Sequence, residues 1–147
     1  MIALDSNILI YAFSRESEWY LPCRTLFLQQ QNESVTYGIP VFCLGEFIRV
    51  VTHPRLYPQT ARLEQALVWL NHMMTSPHLR IMTPGPAFPS LFLNTIRASA
   101  ACGNLVFDAQ IVALCREHNV DKLITYDQDF ARFPDLNCMT PETLLKT

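Results

Sequence analysis

Four carboxylates carry the best case for chemistry in this chain of 147 residues: Asp5, Glu46, Asp108 and Asp127, with Asp129 as a fifth candidate. Hard divalent cations such as Mg²⁺ and Mn²⁺ prefer oxygen ligands, and a few carboxylates plus water complete their octahedra. One such ion generates a hydroxide nucleophile, and an ion also stabilises the charge developing on a leaving 3′ oxygen. A ring of three or four carboxylates is therefore suited to phosphodiester hydrolysis, with no Ser, His or Cys nucleophile. Without metal the same ring repels itself, and some of its pKa values should rise. Each acid also has a plain structural reading. Asp5 suits an Asx-turn with Asn7, Glu46 an i,i+3 pair with Arg49, and Asp108 the first turn of a helix. Asp127 and Asp129 suit turns.

The surrounding elements decide whether the acids can meet. Ile2-Ala3-Leu4 is a short apolar run that predicts a buried strand ending at Asp5. Ile8 to Ala12 is compatible with a helical turn or a loop. A helix is expected over about 18–31, with Pro22 near its first turn. Ser34 to Gly38 reads as a second strand. Pro40 suits the first position of a helix that runs to about His53, where Pro54 stops it. Its apolar stripe is Val41, Leu44, Ile48 and Val51, with Glu46 off it. Thr60 suits the cap of a helix carrying Leu63, Ala66, Leu67, Leu70 and Met73. Thr83 to Pro89 reads as a loop, and a helix should follow and end near Gly103. Asn104 suits an N-cap for a helix from Leu105 to His118, with Leu105, Val112 and Cys115 on one side. Lys122 to Tyr126 reads as a strand with Asp127 at its end, Cys138-Met139 as an edge strand, and Thr140-Pro141 as the opening of a last helix. Alternating strands and helices predict an α/β sandwich on a parallel sheet, in one domain over 1–147. In such sheets, sites form at the carboxyl ends of strands.

The local sequences around the acids are similar to the motifs of a known family. Asp5-Ser6-Asn7-Ile8-Leu9-Ile10-Tyr11-Ala12 resembles the opening motif of PIN domains, an Asp-x-Asn after a very short strand. Glu46 in Leu44-Gly45-Glu46-Phe47 resembles their helix acid. Asn104-Leu105-Val106-Phe107-Asp108-Ala109 resembles the third acidic motif, and Thr125-Tyr126-Asp127-Gln128-Asp129-Phe130 the last. Val51-Thr52-His53-Pro54-Arg55 is similar to VapC-type toxins of VapBC toxin–antitoxin pairs. The resemblance covers essentially the whole chain, and Ser6 stands where Thr is more usual. It implies a three-layer α/β/α fold with a central parallel sheet. It also implies an Mg²⁺- or Mn²⁺-dependent endoribonuclease toxin, dimeric and silenced by a cognate antitoxin whose tail fills an apolar groove. By motif position, Asp5, Glu46, Asp108 and Asp127 would be the catalytic, metal-binding quartet. Asn7, Thr125 and Asp129 would support it. Arg15, Arg49 and Arg132 are candidates for substrate phosphate.

Composition limits the partners. Only 16% of residues are charged and 50% are hydrophobic, against about 25% charged in a typical soluble domain. Some apolar surface should therefore be left for a partner to cover. Trp19, Tyr20, Leu56, Tyr57, Trp69, Phe88 and Phe92 are candidates for a partner groove or for the core. Net charge is −2, which is not the footprint of a protein that coats nucleic acid. Five scattered cysteines without C-x-x-C spacing read as free thiols in a reducing compartment. The N-terminus has no basic region before its apolar run, so the expected location is the cytoplasm. The competing classes are a PIN-like module that binds RNA or protein without cutting, a phosphoryl-transfer domain, and a DNA nuclease. Asp-Ser-Asn is a poor match for the Asp-x-Asp of the second, and the third is often larger and more basic.

Overall fold

The computed structural model describes residues 1–29, 35–55 and 62–147. Within them, five strands form one sheet in the order β3-β2-β1-β4-β5, and every neighbouring pair is parallel. The strands are β1 (Ile2–Leu4), β2 (Tyr37–Pro40), β3 (Leu79–Met82), β4 (Lys122–Ile124) and β5 (Cys138–Met139). The helices are α1 (Ser6–Phe13), α2 (Tyr20–Gln29), α3 (Val41–Val51), α4 (Arg62–Met74), α5 (Phe88–Ser99), α6 (Leu105–Glu117) and α7 (Pro141–Leu145), with a 3-10 turn over Gln128–Arg132. α1 packs on α2 and α3, α3 on α4, and α5 on α6. This is the expected three-layer α/β/α arrangement.

The strand order reverses at β1. Ala3 pairs with Gly38 on one side and with Leu123 on the other. A crevice outside the carboxyl ends of β1 and β4 follows from that reversal. The central strands β1, β2 and β4 are short and almost wholly buried, as strands covered on both faces are. Ala3, Leu4, Ile39, Leu123 and Ile124 are all at most 1% exposed.

Several expected elements shift. Ile8 to Ala12 is helix, because Asp5 caps it. The second strand begins at Tyr37, beyond Val35 and Thr36, and runs through Pro40. Pro40 thus ends a strand and stands just before α3. The buried positions of α3 are Cys43, Phe47 and Val51. Val41, Leu44 and Ile48 flank that stripe and are only partly buried. β3 was not expected; its pattern of two buried ends around Arg80 and Ile81 is too short to announce itself. Leu63 and Leu67 of α4 are 47% and 45% exposed, so only Ala66 and Leu70 of the predicted stripe are buried. α5 begins one residue before Pro89 and ends at Ala100, which takes a left-handed φ of 54°. Asn104 is helical in backbone and makes no side-chain cap bond. α6 is buried along Ile111, Val112, Ala113, Leu114 and Cys115, more than one side. Thr60, Leu56, Tyr57, Ser34 and the end of the expected 18–31 helix lie outside the described residues. Cys23, Cys43 and Cys115 are buried, Cys138 is half-buried and Cys102 is exposed, all as free thiols. No described helix is long and apolar enough to cross a membrane.

Phe47 shows how α3 is held. It is fully buried, stacks on Trp69 of α4 at 5.2 Å, and meets Phe13 of α1 edge-on at 5.5 Å. Phe47→Ala leaves a cavity between three helices. It should cost about 3–5 kcal/mol, read as a lower denaturant midpoint with an unchanged slope.

Candidate metal centre

Asp5 leaves β1 and caps α1. Its Oδ1 accepts from the Ser6 backbone N–H at 2.7 Å, and its Oδ2 accepts from Asn7 Nδ2 at 3.0 Å and Thr125 Oγ1 at 2.7 Å. Asn7 Nδ2 also reaches Thr125 Oγ1 at 3.1 Å. Thr125 follows β4, and its hydroxyl accepts the Asp127 N–H at 3.0 Å. Asp127 in turn caps the 3-10 turn by accepting the Asp129 N–H at 2.9 Å. A chain of local bonds thus runs from the central strand to the last acidic motif. Glu46 comes from the middle of α3 and Asp108 from the first turn of α6.

Asp5, Glu46, Asp108 and Asp127 line one pocket of about 320 Å³, together with Ser6, Asn7, Ile10, Tyr11 and Tyr126. The four expected acids therefore do meet. A tighter group overlaps them: carboxylate oxygens of Asp108, Asp127 and Asp129 all fall within 4.8 Å of one another. Asp129, expected as support, belongs to this group. Asp5 and Glu46 line the pocket but are not in it.

The arginines behave differently. Arg49 lies 3.9 Å from Glu46 across one helical turn, with both side chains well exposed; such a pair contributes little to stability. Arg15 lines a separate groove between α1, α2 and α4. Arg132 Nε donates to the Ser99 carbonyl at the end of α5, 3.4 Å away. Neither Arg15 nor Arg132 is in the pocket wall. Sequence reasoning passed over Tyr11 and Tyr126 as pocket residues. The signals were present: Tyr126 stands between Thr125 and Asp127, and Tyr11 is one helical turn beyond Asn7. Of the other aromatic candidates, Tyr20 and Trp69 line the groove. Trp19 packs on Tyr11 and Tyr126. Phe88 and Phe92 stack on each other.

No lysine, arginine or histidine stands in the pocket wall among the described residues. The acids feel this. Burial pushes Asp108 up to about 7, and Asp127, Asp5, Asp129 and Glu46 add to it. Burial pushes Asp5 up to about 6, against the pull of its Thr125 and Ser6 hydrogen bonds. The nearby thiols are not alternatives as nucleophiles: burial holds Cys43 well above its ordinary value and Cys115 at about 12. An all-oxygen donor set with an excess of negative charge fits a hard divalent cation.

A family model described as PIN domain matches residues 2–136. Ribonuclease VapC48 of Mycobacterium tuberculosis is 29% identical over 140 residues, covering 93% of this chain and 94% of that protein. Ribonuclease VapC43 of the same species is 28% identical over 141 residues, covering 96% and 95%. Among solved structures, VapBC2 from Rickettsia felis bound to a promoter DNA fragment superposes with a TM-score of 0.68 at 22% identity, over 95% of this chain and 98% of that one. Mycobacterium tuberculosis VapC20, described as a sarcin–ricin loop cleaving toxin, gives 0.64 at 14% identity, over 89% and 93%.

The raised carboxylates have a pH signature. A carboxyl whose folded pKa lies above its unfolded value stabilises the folded state least when ionised. Metal-free protein should therefore lose stability as pH rises from about 4 through about 7. Between pH 8 and pH 5.5 its Tm should rise by roughly 2–6 °C. Asp108→Asn should remove most of that rise and lift the metal-free Tm at pH 8. Calorimetry on the two proteins checks this; an equal slope in both would assign the effect elsewhere.

Proposed function

The chain belongs to the PIN domain family, and on that footing we propose that it is a metal-dependent endoribonuclease, the toxin half of a toxin–antitoxin pair. The observation that carries the reading is the convergence of four acids, distant in sequence, on one pocket at the carboxyl ends of β1 and β4. Relatives that align over nearly their whole length are named ribonucleases.

Asp108, Asp127 and Asp129 would hold Mg²⁺ or Mn²⁺, with Asp5 and Glu46 completing the acidic wall. Such an ion, when bound, supplies a Lewis acid and lowers the pKa of water. The chain's own residues do the rest. Asn7 and Thr125 hold the Asp5 carboxylate in one orientation through two hydrogen bonds. Ionised acids are needed for metal binding, so the raised Asp108 makes proton and cation compete. Arg49, one turn from Glu46, is the basic side chain best placed to meet a phosphate. The cytoplasm suits the free thiols.

The groove between α1, α2 and α4, about 940 Å³, would take the antitoxin. Its wall mixes Phe27, Leu28, Val68, Trp69 and Met73 with Arg15, Arg24 and Glu64. That composition suits an amphipathic segment. Leu93 of α5 and Phe107 of α6 are 58% and 61% exposed, on helices that pack together. They suit a second copy of the chain in a homodimer.

Two measurements test this. Purified, partner-free protein is given a mixed RNA pool with Mn²⁺ or with EDTA. Cleavage should need the metal, and Asp5→Asn should reduce it by roughly 100-fold. A folded, metal-loaded protein that cuts nothing would favour the binding-module reading. Separately, Val68→Glu should weaken capture of the cognate antitoxin by roughly tenfold or more, measured by titration calorimetry. Unchanged affinity would move the antitoxin site off this groove.

A further inference from the structure

We propose that Trp19, backed by Tyr11 and Tyr126, is a substrate-positioning residue whose indole stacks on an unpaired nucleobase next to the phosphate at the acidic pocket. The inference rests on the ribonuclease reading above. Tyr11 and Tyr126 line that pocket, and their rings meet edge to face at 5.7 Å. Trp19 lies against both, with ring centroids 4.8 Å from Tyr11 and 5.5 Å from Tyr126. The two tyrosines are half-buried, whereas Trp19 is 37% exposed. The trio is thus a continuous aromatic surface that begins at the acids and ends in solvent. Its inner end is pinned: the Tyr126 hydroxyl donates to Glu142 Oε1 of α7 at 2.8 Å. A ring held in place loses little freedom when a ligand docks on it.

Charge explains why such a surface is needed. Phosphate contacts with cations usually dominate nucleic-acid affinity. Here the pocket wall carries four acids and no described cation, Arg15 and Arg132 lie elsewhere, and Arg49, exposed beside Glu46, is the one arginine of the three near the acids. Net charge is −2. Beyond Arg49 and a bound cation, stacking adds affinity that is independent of phosphate charge. A base on an aromatic platform gains roughly 10- to 100-fold in affinity, whatever its identity. A paired base is stacked within its own helix and offers no free face, so the preference is for unpaired RNA. A protein partner is the rival occupant. The ring contacts of Trp19 lead to the acidic pocket, and Trp19 is absent from the wall of the groove.

The test uses the full chain with Asp108→Asn, to prevent cutting, and Trp69→Phe, which leaves Trp19 as the one remaining tryptophan of two. The probe is oligouridylate, either unpaired or annealed to oligoadenylate, added with Mg²⁺. The unpaired strand should quench Trp19 fluorescence, with affinity roughly tenfold above that of the duplex. Trp19→Ala in the Asp108→Asn chain should cost roughly tenfold in affinity for a labelled strand, and Trp19→Phe should restore part of it. In the cleaving protein, Trp19→Ala should raise KM with a much smaller change in kcat. Absence of quenching, or equal affinity in the Ala variant, overturns the proposal. So does a Trp19→Ala variant that loses antitoxin affinity alone, which would assign the ring to the protein interface. The two readings fail separately. Quenching in a protein whose wild type cuts no RNA would remove the nuclease and keep the base site. Metal-dependent cutting that is indifferent to Trp19 would do the reverse.

Discussion

The Asp5 carboxylate is the constraint on which the site depends. It is 4% exposed at the end of the central strand, and a buried charge is costly unless it is hydrogen-bonded. Its partners come from two places 118 or more residues apart: Ser6 and Asn7 at the start of α1, and Thr125 after β4. One side chain therefore caps a helix and ties that helix to the neighbouring strand. The same threonine positions Asp127, and Asp127 positions Asp129. The structural and the chemical readings of these acids are not rivals. Asp127 uses one carboxylate oxygen to cap a turn and Asp5 uses both in its cap and its tie to Thr125, yet each still lines the pocket.

This arrangement opposes stability. Asp108 and Asp5 are held near 7 and 6, by burial first and then by the carboxylates around them. Local conflict of this kind is expected at functional sites, where stability is traded for reactivity. The compensation is the core around it. Phe47 directly follows Glu46 in α3 and locks that helix against Phe13 and Trp69. α6, which carries Asp108, is buried from Ile111 to Cys115.

Low charge content has consequences at three separate places. The apolar part of the mixed groove between α1, α2 and α4, the exposed Leu93 and Phe107, and the Trp19 edge are surface left by a chain with only 16% charged residues. Each suits a different contact: a partner segment, a second copy and a base. An acidic pocket whose wall holds no basic side chain among the described residues makes these apolar contacts matter more than they would in a basic nuclease.

The sequence by itself determined the parallel α/β plan, the strand at Ile2–Leu4, the start of the strand at Lys122, which ends at Ile124 and not at the expected Tyr126, and the four acids that line one pocket. Those features are local: apolar runs, turn residues and short motifs are legible without knowing what they touch. Only the tertiary structure decided the rest. Val35 and Thr36 have strand propensity, yet β2 starts at Tyr37, because pairing with β1 and β3 sets its register. The stripe of α3 is Cys43, Phe47 and Val51, because packing selects among several apolar positions on a helix rich in them. Asp129 joined Asp108 and Asp127 because a 3-10 turn follows Asp127 directly. Arg15 and Arg132 left the site because a long side chain is placed by the surface its helix or turn happens to face. Tyr11 and Tyr126 entered it for the same reason. Propensity is a property of a residue and its near neighbours, whereas a site is made by the contacts of residues far apart in the chain.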